Sequence, residues 1–320
     1  MRFGFAVTVS MMLPVALVAC SGGADGDDGG GTTDPADRFA EFVNVDQPAS
    51  GTFDCFTPSA DPATIAWLTS SADPANQQAL PVNGFVEDFE EGTAVAGATV
   101  ALFTDDAVGG TPDVTGTSDV NGTIALSDGG ACDPLTYRVT TEGGPTLTKT
   151  TYKAHQIYGA AAGAAVEGAS FVSVSDVTYQ LIPAILGIEV KSDLAIIAGT
   201  AYDCGRDPSQ DSDDPAGKIE GAQVVVLDAD GNIPDTLQVN YFVESFPARD
   251  QKFTSADGLW VAANVPPGDL EVQMWGQVDG ELVLLGASKI TSEADSINIA
   301  NVFAGYGDGV KYPSTCLAAR

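Results

Sequence analysis

The chain has 320 residues, 44% of them apolar, which is enough for two domains with separate cores. It carries 13 Lys and Arg against 44 Asp and Glu, a formal net charge of −31. A surface this anionic repels nucleic acid and anionic lipid, so nucleic acid is excluded as a partner and a solvated surface suited to a salty medium is favoured. The 36 Gly and 18 Pro, with few long helical patterns, favour an all-β fold.

The N-terminal segment is typical of a secretory signal. Arg2 precedes an apolar run that ends in Leu17-Val18-Ala19-Cys20. This ending resembles the bacterial lipobox, which implies that Cys20 is acylated and anchors an exported protein to the cell envelope. Ser21 after the cysteine favours the outer membrane. The alternative is an ordinary secretory signal with a chance cysteine. Residues 20–37 are Gly- and Asp-rich, which predicts a disordered tether.

Besides Cys20, the chain has four cysteines, and in an exported protein we expect them to form disulfides. They are Cys55, Cys132, Cys204 and Cys316. Three connectivities are open. The pairing Cys55–Cys132 and Cys204–Cys316 is favoured because each link then stays within one predicted domain. Their spacing does not fit a zinc site.

An internal repeat is the most informative pattern. One copy begins at Val82 and the other near Ile196. The matching positions are Gly84 and Gly199, Asp88 and Asp203, and Gly97-Ala98 and Gly221-Ala222. Each Gly-Ala pair precedes an alternating apolar run, which predicts half-buried strands. Each copy then carries a turn, Asn121-Gly122 or Asp257-Gly258, in which we expect positive φ at both residues.

These motifs resemble the carboxypeptidase regulatory-like (transthyretin-like) domain. Copy two matches at Gly199, Asp203, Gly221-Ala222, Thr254, Gly258, Trp260, Asn264, Pro267, Gly268 and Val272. Copy one matches at Gly84, Val86, Asp88, Gly97-Ala98, Thr117, Gly122 and Tyr137. Leu270 replaces the usual Tyr in copy two, and copy one lacks the Pro-Gly corner. The resemblance implies two tandem antiparallel Greek-key β-sandwiches, with Trp260 in a core and no catalytic residues.

The predicted organisation has five segments. They are a lipoprotein signal peptide at 1–19, the lipidated cysteine and tether at 20–37, a first sandwich at 38–172, a short helical connector at 173–192 and a second sandwich at 193–320. In the connector, apolar residues recur at helical spacing, at Val177, Leu181, Ile185 and Ile188. Ser175 or Asp176 is the expected N-cap, Gly187 the expected end, and Pro183 implies a kink or a division into two short helices. We expect this helix to pack between the sandwiches.

Catalytic and metal-binding motifs are weak. His155 is the single histidine, and because no Gly-x-Ser-x-Gly motif accompanies it, a structural role is favoured. The sequence Asp228-Ala229-Asp230-Gly231-Asn232 lacks the later positions of a calcium loop and predicts a turn. The candidate Ca²⁺ ligands are Asp207, Asp211, Asp213 and Asp214 of one acidic run, for which a plain acidic loop is the alternative. No other cofactor is expected.

The alternation at 270–275 predicts a candidate ligand site. Leu270, Val272 and Met274 are expected to face the core, which leaves an outward face of Glu271, Gln273 and Trp275. An exposed Trp beside polar groups suits a sugar ring, and the alternative is that Trp275 packs against a loop.

The sequence therefore predicts a non-catalytic, envelope-anchored binding or scaffolding module whose ligand is a glycan or an envelope protein. The alternatives are a structural or adhesive surface protein and a glycoside hydrolase. The last would need two carboxyls about 5–10 Å apart in a deep cleft.

Overall fold

The computed structural model describes residues 77–104, 108–141, 147–159, 164–203, 217–278, 280–305 and 316. All of them belong to one compact unit, Thr33–Arg320. Several expectations lie outside the described residues: the signal peptide, Cys20, the tether and Cys55 in 1–76, and Cys204 with the acidic run in 204–216. The domain boundaries stay a prediction.

The described residues are nearly all β, with one helix, as predicted. The strands before the helix are β1 (Val82–Asp88), β2 (Thr99–Thr104), β3 (Val114–Thr117), β4 (Thr123–Leu126), β5 (Leu135–Thr140), β6 (Thr148–Lys149), β7 (Thr151–Gln156) and β8 (Val166–Ser175). After helix α1 (Asp176–Leu186) come β9 (Ala195–Tyr202), β10 (Gln223–Asp228), β11 (Gln238–Val243), β12 (Phe246–Ala248), β13 (Leu259–Val265), β14 (Gly268–Val278), β15 (Glu281–Ser292), β16 (Ile297–Ile299) and β17 (Val302–Phe303).

The first half is a two-layer sandwich. One layer has the strand order β4-β1-β8-β6, and the other has β3-β2-β5-β7. Alternate residues of β1 are buried, as the period-two pattern predicts. The core between the layers includes Val82, Val100, Tyr137 and Phe171. Most pairs are antiparallel, but β1 and β8, the first and last long strands, pair in parallel.

The second half repeats this arrangement. A layer of β10-β14-β15 faces a layer that contains β12-β11-β13-β9. The core between them holds Val224, Met274 and Trp260, so the predicted core position of Trp260 is confirmed. Again the first strand pairs in parallel with the last ones, because β9 lies beside both β16 and β17.

The two halves have separate cores but share a sheet. Strand β16 pairs in parallel with β9 on one side and with β7 on the other. A single sheet therefore runs β12-β11-β13-β9-β16-β7-β5-β2-β3. A further apolar cluster, with Val174, Leu186, Ile196 and Ile297, lies where the halves meet.

Equivalent turns stabilise the two copies. Val86 N–H donates to Gly122 O at 2.8 Å, and Ala201 N–H donates to Gly258 O at 2.9 Å. Positive φ occurs at Gly122 (76°) and Gly258 (65°) but not at the residues before them, so the expectation of positive φ at both turn residues is wrong. The reason is that each Gly is the fourth residue of its turn, where its N–H donates to the first residue's carbonyl.

A buried hydroxyl fixes the start of the second strand in each copy. Ser118 Oγ donates to Val95 O and accepts from Ala98 N–H, at 2.7 and 3.0 Å. Thr254 Oγ1 donates to Ile219 O and accepts from Ala222 N–H, at 2.7 and 2.9 Å. The structural counterpart of Thr254 is therefore Ser118, one residue later than the Thr117 suggested by the motif.

Helix α1 begins and ends where the sequence predicts. Ser175 Oγ accepts from Thr178 N–H, and Gly187 adopts φ 74° after the last turn. The expectation that the apolar face packs between the sandwiches is wrong, however, because Val177, Leu181 and Ile185 are exposed. The helix instead buries a different face, with Thr178, Pro183 and Leu186. Helical spacing defines an apolar face but does not decide whether that face meets the core.

The favoured disulfide pairing is also wrong. Cys132 is bonded to Cys316, with a Cα–Cα distance of 5.2 Å and a sequence separation of 184. Both cysteines are buried and pack against Ile157. The prediction assumed that each link stays within one half, whereas this disulfide joins Cys316, beyond the second core, to the first half.

Candidate functional site

The three predicted ligand residues lie together on the outer face of β14. Glu271, Gln273 and Trp275 are half-buried and alternate with fully buried core residues. Since β14 is the central strand of its three-stranded sheet, neighbours on both sides hold these side chains in place. Lys289 of β15 lies opposite Glu271 in the strand register.

A chain of hydrogen bonds links these three side chains. Gln273 Nε2 donates to Glu271 Oε1 at 2.7 Å, and Trp275 Nε1 donates to Gln273 Oε1 at 3.0 Å. The indole N–H therefore donates to Gln273 and not to a ligand. The groups that can bond to a ligand are the other carboxylate oxygen of Glu271, as an acceptor, and the second amide hydrogen of Gln273, as a donor. The arrangement can present an aromatic ring edged by a carboxylate and an amide.

Trp275 also packs against an apolar cluster. This cluster comprises Val225, Leu227, Ile233 and Leu237, on β10 and the segment that follows it. Within that segment, Asp228 Oδ1 accepts from the backbone N–H groups of Asp230 and Asn232, at 3.0 and 2.8 Å. The turn expected at Asp228 is thus present, and one carboxylate oxygen is bonded to the backbone. Trp275 packs against a loop and keeps part of its surface exposed.

His155 occupies a structural position. It has φ 54° at an irregularity in the pairing of β5 and β7, and its Nε2 lies 2.7 Å from Lys289 O. Because a carbonyl only accepts, the imidazole donates here, and the bond ties β7 of the first half to β15 of the second. This geometry favours the structural role expected for the histidine.

Metal-ligand clusters and membrane-spanning helices are both absent from the described ranges. There, no three His, Cys, Asp or Glu side chains converge in a way that could hold a metal ion. The candidate Ca²⁺ ligands Asp207, Asp211, Asp213 and Asp214 lie outside these ranges, so calcium binding stays a prediction. Within the same ranges, no helix has the length and apolar character needed to cross a membrane.

A surface hollow of about 310 Å³ lies between α1 and the segment that follows it. Tyr179, Pro183, Ile188 and Asp295 are among its lining residues. Lys149 Nζ lies 2.5 Å from Asp295 Oδ1 and 4.5 Å from the centre of the Tyr179 ring. The acidic and basic groups beside the hollow thus neutralise each other.

The solvent face of α1 was missed as a feature by sequence reasoning. The sequence does mark this helix, because residues 177–188 contain no charged residue although the whole chain is strongly acidic. A surface helix normally places polar residues on its solvent side. Here the side with Val177, Leu181 and Ile185 faces solvent.

Comparison with known proteins gives structural similarities alone. No protein-family model and no curated protein matches the sequence. The TIE protein of Bacillus anthracis is 12% identical over 70% of this chain, with a TM-score of 0.22, and this chain spans 33% of its length. Shaft pilin SpaA from Lactobacillus rhamnosus GG is 9% identical, with coverages of 70% and 97% and a TM-score of 0.21. BcpA, the major pilin subunit of Bacillus cereus, is 12% identical, with coverages of 70% and 99% and a TM-score of 0.22.

At these TM-scores the similarities establish neither a common fold nor a common function. The carboxypeptidase regulatory-like resemblance likewise stays a prediction.

Proposed function

We propose that this protein is a structural or adhesive, non-catalytic module of the cell surface, suited to tension along its chain. The observation that carries the proposal is the parallel pairing of the first and last strands in each half, β1 with β8 and β9 with β16. The shared sheet adds support, because β16 couples the two halves through backbone hydrogen bonds.

Parallel pairing matters because of the direction in which a pulling force acts. The register runs from Val82↔Val166 to Asp88↔Ser173. The chain therefore enters β1 at one end of the pair and leaves β8 at the other. Tension between these points shears the strands and loads their hydrogen bonds together. In an antiparallel pair the two points would lie at the same end, and the bonds would open one after another.

The Cys132–Cys316 disulfide supports the surface location and limits how far the chain can extend. Disulfides persist in oxidising compartments, which favours an exported protein. The link also closes a segment with a sequence separation of 184. Tension applied beyond residue 316 would pass through the sulfur atoms to residue 132, so the enclosed segment would not extend. Because β8, β9 and β16 lie in that segment, the parallel pairs carry tension applied at the chain ends only when the disulfide is reduced.

Single-molecule force spectroscopy tests this proposal. Attachment at the start of β1 and the end of β8 should give an unfolding force several-fold higher than attachment at the starts of both strands, the matched unzipping control. Equal forces in the two geometries would contradict a tension-bearing role. When the whole chain is pulled from its ends, replacing both Cys132 and Cys316 by Ala should add roughly 600–660 Å of extension.

We also propose that acylated Cys20 attaches the protein to the cell envelope, and more specifically to the outer membrane. The Leu17-Val18-Ala19-Cys20 ending supports it. Metabolic labelling should place fatty acid on the wild-type protein and not on Cys20→Ser. A soluble, unlabelled wild-type protein in the medium would contradict the anchor while leaving the mechanical test unaffected.

A second candidate function is glycan binding by Glu271, Gln273 and Trp275. The hydrogen-bonded chain on the outer face of β14 supports it, since the ring and its polar neighbours are preorganised. Glycan-array binding should disappear in Trp275→Ala and persist in Phe85→Ala, which removes an exposed aromatic ring from β1. Equal binding by both variants would refute this site.

A further inference from the structure

The turn between β3 and β4 leads into β4 with the sequence Asn121-Gly122-Thr123. An asparagine followed two residues later by Ser or Thr, with a middle residue other than Pro, is the acceptor for N-linked glycans in exported proteins. The chain has nine asparagines, and Asn121 alone is followed in this way. Such a tripeptide is a site only where an enzyme can reach both the asparagine and the hydroxyl.

Both side chains that define the acceptor are exposed. Asn121 and Thr123 are exposed, whereas Gly122 and Ile124, which alternate with them, are buried. Ile124 belongs to the core of the first half, so its neighbour Thr123 in β4 is turned outward. Val120, directly before the asparagine, is 85% exposed. An enzyme can therefore reach the amide and the hydroxyl from the same side of the chain.

The turn itself forms through backbone groups and one carboxylate. Asp119 Oδ1 accepts from the backbone N–H groups of Asn121 and Thr123, at 2.8 and 2.9 Å. Gly122 N–H donates to Asp119 O at 3.0 Å. Among the residues that the structure describes, none bonds to the Asn121 amide or to the Thr123 hydroxyl. The fold thus needs neither group, and both are available to an enzyme.

The position also has room for a bulky group. In the first half, β4 is the outer strand of one layer and β3 is the outer strand of the other. The turn that joins them therefore lies at the open edge of the sandwich, where an attached glycan displaces no packed element of the described chain. Outer strands expose backbone groups that can pair with another chain, and a hydrophilic group beside them hinders that pairing.

We propose that Asn121 is an N-glycosylation site. The donor is a sugar whose anomeric carbon is esterified to a diphosphate, carried either by a membrane lipid or by a nucleotide. A bond forms between Asn121 Nδ2 and the anomeric carbon while the bond from that carbon to the phosphate oxygen breaks. The electron pair leaves with the diphosphate, and the amide proton passes to a base of the transferase. The lipid-linked donor requires the export that is part of the proposed function.

Intact-mass measurement and peptide fragmentation of protein from its native cells test the site. We expect added sugar mass that the fragments place on Asn121. Asn121→Gln and Thr123→Ala should each lose this mass completely, whereas Thr123→Ser keeps the hydroxyl and should retain it. Because neither side chain is bonded in the fold, circular dichroism should show the native structure in all three variants.

Asn232 is the internal control. It is exposed in a turn in which Asp228 Oδ1 likewise accepts backbone N–H groups, but Ile233-Pro234 follows it and supplies no hydroxyl. It should carry no sugar. Sugar on Asn232 would show that exposure alone directs the modification, which would overturn the role of the tripeptide.

An unmodified Asn121 in the wild-type protein would overturn the proposal. Sugar that persists in Asn121→Gln would also overturn it, because the sugar would then be attached to a hydroxyl. A chain without residues 1–19 separates the two donors, since a lipid-linked donor predicts loss of the sugar and a nucleotide-linked donor predicts its retention. Cell fractionation of the same samples measures export independently. An exported protein with unmodified Asn121 would refute the site alone, and a cytoplasmic protein with modified Asn121 would refute the surface role alone.

Discussion

Thr254 is the residue at which the contribution of one buried polar contact can be calculated most directly. Its hydroxyl donates to Ile219 O and accepts from Ala222 N–H, and all three residues are fully buried. Thr254→Val keeps the shape of the side chain and removes both hydrogen bonds. Each buried group left unsatisfied costs about 1–3 kcal/mol, so the free energy of unfolding should fall by about 2–6 kcal/mol.

Guanidinium denaturation followed by tryptophan fluorescence measures this loss, since Trp260 lies in the same core. Thr254→Ser is the matched control because it keeps the hydroxyl and should lose about 1 kcal/mol, as expected for one buried methyl group. Thr291→Val removes an exposed hydroxyl bonded to Asp269 and should change stability by less than about 0.5 kcal/mol. A Thr254→Val variant as stable as wild type, or a Thr254→Ser variant equally destabilised, would refute the reasoning.

Three further predictions follow from the structure. Replacing both Cys132 and Cys316 by Ala should reduce the free energy of unfolding by up to about 5 kcal/mol, given the separation of 184 residues, and non-reducing peptide mapping of the wild type should recover the 132–316 link. Burial raises the pKa of Tyr241 and of Tyr158, so each phenol stabilises the fold fully below the unfolded value of about 10 and less as pH rises above it. Urea titrations from neutral to alkaline pH should therefore show a loss of stability that Tyr158→Phe reduces. At neutral pH Tyr241→Phe should cost about 1–3 kcal/mol, because it leaves Val224 N–H without its acceptor, whereas Tyr158→Phe should be nearly neutral. Gly199→Ala should destabilise by at least about 2 kcal/mol, since its Cβ would lie 2.0 Å from Ala300 O, and thermal unfolding that matches wild type would contradict this close approach.

Local patterns predicted the elements well where local chemistry decides them. The alternation at 270–275 predicted which side chains of β14 face outward, and Ser175 and Gly187 marked the ends of α1. The hydrogen bonds that join Glu271, Gln273 and Trp275 could not be predicted, because the rotamers of half-buried side chains depend on neighbouring strands.

The sequence by itself determined the all-β class, the repeated turns at Gly122 and Gly258 and the extent of the helix, because these follow from backbone preferences and from periodicity over a few residues. Tertiary structure alone decided that β16 joins both halves, that Cys132 bonds to Cys316 and that the apolar face of α1 with Leu181 is exposed to solvent. Each of these depends on contacts between residues far apart in the chain, and a short sequence pattern carries no information about which distant surface it will meet.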